Sequence, residues 1–136
     1  MRGQNDERLG TRFPDMSEPY DLVLMAQAEG VARELGIAIQ KGTYIGLQGP
    51  TFETPAEYKW LHVTGGDAVG MSTVPEVIVA IHGGMRVFAM SVITDIGISD
   101  VPVKITHEEV LEAANATAPK MAALVAGLIG KLNEMA

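Results

Sequence analysis

Residues 42–54 end an apolar stretch in Phe52 and Glu53, an aromatic residue and a carboxylate beside a Gly-Pro turn. A carboxylate can accept hydrogen bonds from two neighbouring donors, and the ring beside it can pack against a flat polar ligand. The residue types alone favour a simpler interpretation, in which Glu53 is a loop carboxylate or caps a helix that begins near Pro55. Tyr44, at the start of the stretch, is interpreted as a packing residue.

Residues 67–76 repeat this plan, because a short apolar strand leads through Met71, Ser72 and Thr73 into a predicted helix. Hydroxyls and backbone N–H groups at a helix start can hold an anion such as phosphate. For Thr73 we favour simple helix capping, and a methionine such as Met71 is most often a core residue.

Other side chains that could carry chemistry lie outside these two blocks. Asp95 follows an apolar strand, and its carboxylate either caps a turn or points into a site. His107 lies in the first turn of a predicted helix, where a surface histidine is unremarkable. Phe13 is an aromatic in a polar loop, which is usually a local anchor. His62 and His82 are interpreted as surface residues.

The elements that must position these side chains alternate between strands and helices. Helical spacing of apolar residues predicts a helix from Asp21 to Leu35, ended by Gly36. Strands are predicted near 42–48, 67–71 and 85–93, and further helices from about 55, 75 and 107. This order predicts an α/β fold, with alternating strands and helices around a largely parallel or mixed twisted sheet. Ligands bind such sheets beyond the carboxyl ends of the strands.

Helix starts and one helix interruption can also be predicted. Thr precedes Glu by three residues at 54–57, 73–76 and 106–109, the spacing of a capping box. We therefore expect each of these threonines to accept a backbone N–H at the start of its helix. Pro119 lies inside the last apolar-periodic segment and predicts a kink or a break there.

The composition is that of one globular domain, with 136 residues of which 47% are hydrophobic and 20% charged. The net charge of −7 argues against nucleic-acid or anionic-membrane partners, because both would be repelled. The absence of cysteine excludes disulfides, thiolate metal sites and cysteine nucleophiles. No apolar run approaches the roughly 20 residues that cross a bilayer, so we expect a soluble cytoplasmic protein.

Two ungapped motifs make the chain resemble the trimeric purine nucleoside phosphorylases: Gly49-Pro50-Thr51-Phe52-Glu53-Thr54 and Gly70-Met71-Ser72-Thr73-Val74-Pro75-Glu76. Further matches follow in the family's order at residues 1–8, 12–17, 92–95 and 106–110. The resemblance implies a nucleoside-phosphorylase-like fold in one domain over residues 1–136, with a loop over 1–20 that reaches a subunit interface and an α/β core over 21–136. Met1 falls where the C-terminal half of the family's chains starts, so we expect their N-terminal half to be absent here.

In this resemblance, Phe52 packs against a purine and Glu53 accepts hydrogen bonds from its N1–H and exocyclic amino group. Asp95, beside Thr94, faces N7 of the purine, where negative charge builds as the glycosidic bond breaks. Many family members that act on 6-oxopurines have Asn at this position. A protonated Asp95 could donate to N7, whereas an ionised Asp95 would accept from a 6-amino group, and both alternatives stay open.

The same resemblance implies contacts to the sugar and to phosphate. Ser72 corresponds to a phosphate-contacting serine, Met71 lies under the ribose, and His107 contacts the ribose 5′-hydroxyl. Phe13 reaches across a subunit interface and covers the ribose of a neighbouring subunit. The other members of the implied substrate-binding set are Tyr44, Val69, Gly70 and Thr94.

The implied activity is reversible phosphorolysis of purine (deoxy)ribonucleosides of the inosine and guanosine type, with Glu53 and Asp95 as the catalytic pair. Inorganic phosphate is the co-substrate, and no metal or organic cofactor is implied. The implied assembly is a homotrimer that serves purine salvage, and its site needs an N-terminal half or partner chain for completion. The alternatives are a phosphorylase of 6-aminopurine nucleosides, or a catalytically incompetent fragment or interaction subunit.

Overall fold

The computed structural model describes residues 3–97 and 106–135. After a 3₁₀ turn at Glu7–Leu9, the elements are α1 (Leu22–Glu34), β1 (Tyr44–Gly46), α2 (Pro55–Val63), β2 (Ala68–Gly70), α3 (Val74–His82) and α4 (His107–Met135). Each strand is followed by a helix, which agrees with the predicted α/β alternation.

The core lies between α1 and α4, which pack against each other. The close approach of the two helices occurs at Gly127, where an added Cβ would lie 2.5 Å from a methyl carbon of Val31. Small residues therefore let the two helix backbones come together. The buried residues at this contact are Ala28, Val31, Ala32, Leu124 and Leu128.

The two strands form a parallel pair, in which Gly46 lies opposite Gly70. Their carboxyl ends therefore reach the same edge of the sheet, as predicted for this part of the fold. Leu47 extends the pairing by donating its backbone N–H to the Gly70 carbonyl at 2.9 Å. At the opposite edge, the Asp67 carboxylate accepts the Thr43 N–H at 2.7 Å and ties the beginnings of the strands together.

Residues 85–93 were expected to form a third strand, and this prediction is wrong, because the structure assigns no strand there. A strand needs a ladder of backbone hydrogen bonds to a neighbouring strand. Within the described part of the chain this segment has a single backbone–backbone hydrogen bond to the start of α1, from the Asp21 N–H to the Val87 carbonyl at 2.8 Å. Its apolar side chains pack instead against the helical core, as Phe88 and Met90 do.

Helix α4 continues through Pro119, so the break that was one of the two predicted outcomes does not occur. Proline removes one backbone donor from the helix. In the preceding turn, the Thr117 hydroxyl donates to the Ala113 carbonyl at 3.0 Å. Because packing supplies most of the stability of a helix in a protein, the contact with α1 can offset the local cost of Pro119.

Two of the three predicted capping boxes form. At the start of α2, the Glu57 N–H donates to the Thr54 hydroxyl at 3.3 Å, and the Glu57 carboxylate accepts the Thr54 N–H at 2.7 Å. The same reciprocal bonds join Thr106 and Glu109 at the start of α4. The capping prediction for Thr73 is wrong, because its φ of 70° and ψ of −62° leave its side chain without a capping bond.

Asp21 joins the start of α1 to the segment that follows α3. Its Oδ1 accepts the N–H groups of Val23 and Leu24 at 2.9 and 3.0 Å, as an N-cap does. Both its oxygens also accept from Arg86, whose Nη2 lies 3.0 Å from Oδ1 and whose Nε bonds Oδ2. The Arg86 bonds, together with the Leu24 N–H, hold the pKa of Asp21 well below its usual range.

His82 was interpreted as a surface residue, but it is half-buried beneath the N-terminal loop. One of its ring nitrogens lies 2.8 Å from the Thr11 carbonyl oxygen. Gly10 packs against the ring, since an added Cβ there would lie 3.3 Å from the ring carbon Cε1. The histidine therefore connects the end of α3 to the loop.

Candidate functional site

A cleft of about 470 Å³ opens at the carboxyl edge of β1 and β2, where the loops after both strands face residues 91–97. This position agrees with the general rule for ligand sites in parallel sheets. The cleft brings together nine of the predicted site residues: Tyr44, Phe52, Glu53, Val69, Gly70, Met71, Ser72, Thr94 and Asp95.

One part of the cleft, the carboxylate end, contains Glu53 and Asp95, which are both half-buried. Glu53 directly precedes Thr54, the N-cap of α2, so it lies beside the positive end of that helix. Asp95 accepts a hydrogen bond on Oδ1 from the Thr94 hydroxyl at 2.8 Å. The ring of Phe52 remains 45% exposed near Glu53. Two carboxylates that face one cleft can accept hydrogen bonds from N–H groups of a ligand.

Tyr58 also lines the cleft, although no sequence motif indicated it. Burial is the main cause that raises the pKa of Tyr58 to about 12, and the charges of Glu53 and Asp95 are the next. The phenol therefore keeps its proton at neutral pH and can donate a hydrogen bond. Helical spacing could have identified it, because Leu61, three residues further along α2, is buried.

The turn after β2 forms another wall of the cleft, where Met71 and Ser72 are both exposed. Gly49 packs directly against the Met71 sulfur, and with a φ of 61° it adopts a conformation that favours glycine. The Tyr44 hydroxyl approaches Gly70 so closely that an added Cβ would collide with it. Glycine at both positions lets the two loops approach each other around the cleft.

Ser72, Thr73 and Val74 form a γ-turn between β2 and α3. The Val74 N–H donates to the Ser72 carbonyl at 2.7 Å, and Thr73 at the centre has a φ of 70° and a ψ of −62°. A β-branched residue rarely adopts a positive φ, and a strained residue of this kind costs about 1–3 kcal/mol. Such strain is concentrated at functional sites, where the surrounding structure holds it in place.

Two predicted site residues do not line the cleft. His107 is the first residue of α4 and is exposed. Phe13 is 83% exposed in the N-terminal loop, with the Arg12 guanidinium carbon 5.8 Å from the centre of its ring. Their implied contacts with ribose stay predictions. His62 is exposed, in agreement with its interpretation as a surface residue, and it also borders the cleft.

Across residues 3–97 and 106–135, no group of three or more His, Asp or Glu side chains is placed to hold a metal ion. In the same ranges, no helix combines the length and apolarity needed to cross a membrane.

The sequence profile of the phosphorylase superfamily matches residues 1–130. The chain belongs to the phosphorylase superfamily. One relative, purine nucleoside phosphorylase 1 of Geobacillus stearothermophilus, is 53% identical over 112 residues, which are 81% of this chain and 40% of that protein. Purine nucleoside phosphorylase of Bos taurus is 48% identical over an alignment of 136 positions, which covers 97% of this chain and 47% of that protein. This superfamily member therefore spans about half the length of the curated relatives it matches.

Solved structures of similar proteins agree with the observed fold. Schistosoma purine nucleoside phosphorylase in complex with hypoxanthine matches with a TM-score of 0.89 and 42% identity, over 96% of this chain and 48% of that one. The Schistosoma mansoni enzyme in complex with adenosine matches with a TM-score of 0.90 and 43% identity, over the same shares of the two chains. The predicted nucleoside-phosphorylase-like α/β fold is thereby confirmed for this superfamily member.

Proposed function

We propose that this superfamily member acts as a purine nucleoside phosphorylase, which converts a purine (deoxy)ribonucleoside and phosphate reversibly into a free purine and (deoxy)ribose 1-phosphate. The observation that carries the proposal is the cleft at the strand ends, where the half-buried Glu53 and Asp95 share a site with Met71 and Ser72. The similarity to proteins named purine nucleoside phosphorylase supports the same activity.

In the proposed reaction, a phosphate oxygen attacks C1′ of the sugar while the bond from C1′ to N9 of the purine breaks. The electron pair of that bond leaves with the purine, which becomes negative as the sugar becomes positive. Glu53 holds the base by accepting hydrogen bonds from its N1–H and exocyclic amino group. Asp95 lies at N7, Met71 lies under the sugar, and Ser72 helps to position phosphate at the start of α3.

The proton on Asp95 distinguishes two classes of purine substrate. A protonated carboxyl would donate to N7 and suit 6-oxopurines, whereas an ionised one would accept from a 6-amino group. The Thr94 hydroxyl donates to Oδ1 of Asp95, which leaves Oδ2 available to donate or to accept, so the 6-aminopurine alternative stays open as a second candidate. Comparing kcat/KM for inosine, adenosine and methylthioadenosine discriminates them. A preference for inosine supports the 6-oxopurine reading, and a preference for either aminopurine substrate supports the alternative.

The proposal includes an assembly larger than one copy of this chain. We use "complemented chain" for this chain mixed with an N-terminal half from a full-length phosphorylase, which would supply the remaining phosphate and ribose ligands. The proposed active form is a cytoplasmic homotrimer in purine salvage that uses no cofactor and takes inorganic phosphate as its co-substrate. The exposed ring of Phe13 supports a contact with the neighbouring subunit, and His107 is proposed to bind the 5′-hydroxyl. Without such an N-terminal half, this chain would be a catalytically incompetent fragment or an interaction subunit.

The Glu53→Gln variant of the complemented chain tests the proposed function. Glutamine keeps the size of the side chain but replaces one acceptor oxygen with a donor NH₂ group, so one purine donor loses its partner. We expect kcat/KM for inosine to fall by roughly ten- to a hundred-fold. The control is Glu112→Gln, at an exposed position of α4, which should leave kcat/KM unchanged. Wild-type kcat/KM in Glu53→Gln would contradict the assigned role.

A further inference from the structure

Tyr58 occupies a defined place at the carboxylate end of the cleft. It lies in the second turn of α2, and its backbone N–H donates to the Thr54 carbonyl at 3.0 Å. Its ring packs directly on the backbone of Gly97, where an added Cβ would collide with the ring. The helix on one side and Gly97 on the other therefore fix the ring beside Glu53.

The cleft holds a hydroxyl donor, Tyr58, together with two carboxylate acceptors, Glu53 and Asp95. The burial and negative surroundings that raise the Tyr58 pKa keep its hydroxyl protonated. The Tyr58 side chain lines the same cleft as Glu53 and Asp95, and the charges of both carboxylates raise its pKa. Asp95 has a hydroxyl partner of its own in Thr94 at 2.8 Å.

We propose that Tyr58 is a positioning residue that donates a hydrogen bond to the Glu53 carboxylate and so orients it toward the purine. The inference rests on the proposed phosphorolysis. An ionised carboxylate has about four lone-pair positions, so one bond from Tyr58 leaves the others for the N1–H and amino group of the base. A hydroxyl partner also restricts the rotamers of a flexible glutamate before the ligand arrives, which lowers the entropic cost of binding.

The Tyr58→Phe variant of the complemented chain removes the hydroxyl but keeps the ring on Gly97. We expect KM for inosine and Kd for hypoxanthine to rise together by roughly five- to fifty-fold, with a smaller change in kcat, because Glu53 holds the base before and after bond cleavage. The control is Tyr20→Phe, which removes a hydroxyl outside this cleft and should leave both constants unchanged. Thermal melting of each variant reports whether the fold is kept.

A double-mutant cycle with Glu53→Ala, which removes both acceptor oxygens, separates positioning from packing. If Tyr58 acts through Glu53, adding Tyr58→Phe to Glu53→Ala should change KM and Kd by less than about two-fold. If the effect in the double variant equals the product of the two single-variant effects, the proposal is overturned, because Tyr58 then acts independently of Glu53. Wild-type constants in Tyr58→Phe alone would overturn it as well.

Measuring the equilibrium binding of hypoxanthine distinguishes a failure of this proposal from a failure of the proposed function. If the wild-type complemented chain binds hypoxanthine but does not cleave inosine, the phosphorolysis proposal fails. The Kd values for hypoxanthine in the double-mutant cycle then decide whether Tyr58 positions Glu53. If phosphorolysis occurs but the cycle shows independent effects, only the positioning proposal fails. A wild-type chain that neither cleaves inosine nor binds hypoxanthine would overturn both.

Discussion

Each carboxylate of the cleft has a hydroxyl beside it. Thr94 donates to Asp95, and Tyr58 lines the same cleft as Glu53, to which we propose that it donates. The two carboxylates could be predicted because each lies in a sequence motif at a strand end. Tyr58 belongs to no such motif, and its inward direction becomes visible only when its helical spacing from the buried Leu61 is considered.

Thr73 illustrates the opposite case, in which the sequence suggested the wrong local structure. Threonine three residues before a glutamate is the usual start of a capped helix, yet the chain turns into α3 through a γ-turn. Sequence spacing cannot reveal a positive φ in a β-branched residue, because the surrounding structure must impose it. The turn places Ser72 at the cleft and Val74 at the first position of the helix.

Replacing Thr73 with glycine should therefore stabilise the protein and impair the site. Glycine adopts a φ near 70° without a Cβ penalty, so we expect the free energy of unfolding to rise by about 1 kcal/mol after glycine's own entropic cost. Urea denaturation measures this change. In the complemented chain, KM for phosphate should rise because a glycine turn orients Ser72 less firmly.

The matched control is Thr64→Gly at the C-cap of α2, where φ is an ordinary −79°. There, glycine relieves no strain and removes the bond from the Thr64 hydroxyl to the Leu61 carbonyl, which is 2.8 Å long. We expect this variant to lose about 1 kcal/mol of stability. A loss of stability in Thr73→Gly equal to that of Thr64→Gly would contradict the strained turn.

At the scale of elements, the sequence predicted the helices better than the strands. Helical periodicity and the capping residues Thr54 and Thr106 are local signals, and the structure contains both boxes and the helices they start. Residues 85–93 carry the apolar side chains of a strand, but a strand also needs a partner that local sequence does not specify. In the folded chain, some of these side chains pack instead on the core between α1 and α4.

Asp21 should make the stability of the contact between α1 and the segment that follows α3 depend on pH. Because Arg86 and the helix N–H groups lower the pKa of Asp21 in the folded state, its contribution is fully present above the unfolded pKa, near 3.9. It is lost as the pH falls below that value toward the folded pKa. Asp21→Asn keeps a good N-cap but removes the charge that pairs with Arg86.

We therefore expect Asp21→Asn to lower Tm at pH 7, and the difference from wild type to shrink as the pH falls below about 4. Thermal melts followed by circular dichroism between pH 7 and pH 3 measure it. Asp15→Asn is a useful comparison, because Asp15 also has a lowered pKa but bonds only its close neighbours Ser17 and Met16. A Tm difference for Asp21→Asn that stays constant over this range would contradict the assigned ion pair.

At the scale of the whole molecule, the chain has a second, more apolar cavity of about 680 Å³ bordered by α1, residues 85–93 and α4. The chain also spans about half the length of its curated relatives. Both observations agree with the proposal that an N-terminal half packs against this chain and completes the cleft. The fold class could be predicted from the order of elements, whereas a cavity of this kind appears only in three dimensions.

The most direct measurement is inosine phosphorolysis by the 136-residue chain alone and by the complemented chain, followed through the release of hypoxanthine. We expect phosphate-dependent release in the mixture, little or none from either part alone, and a roughly ten- to a hundred-fold lower kcat/KM with Glu53→Gln. Size-exclusion chromatography with light scattering would first verify that the two parts associate. No phosphorolysis of inosine or adenosine by a verified complex would contradict the proposed function.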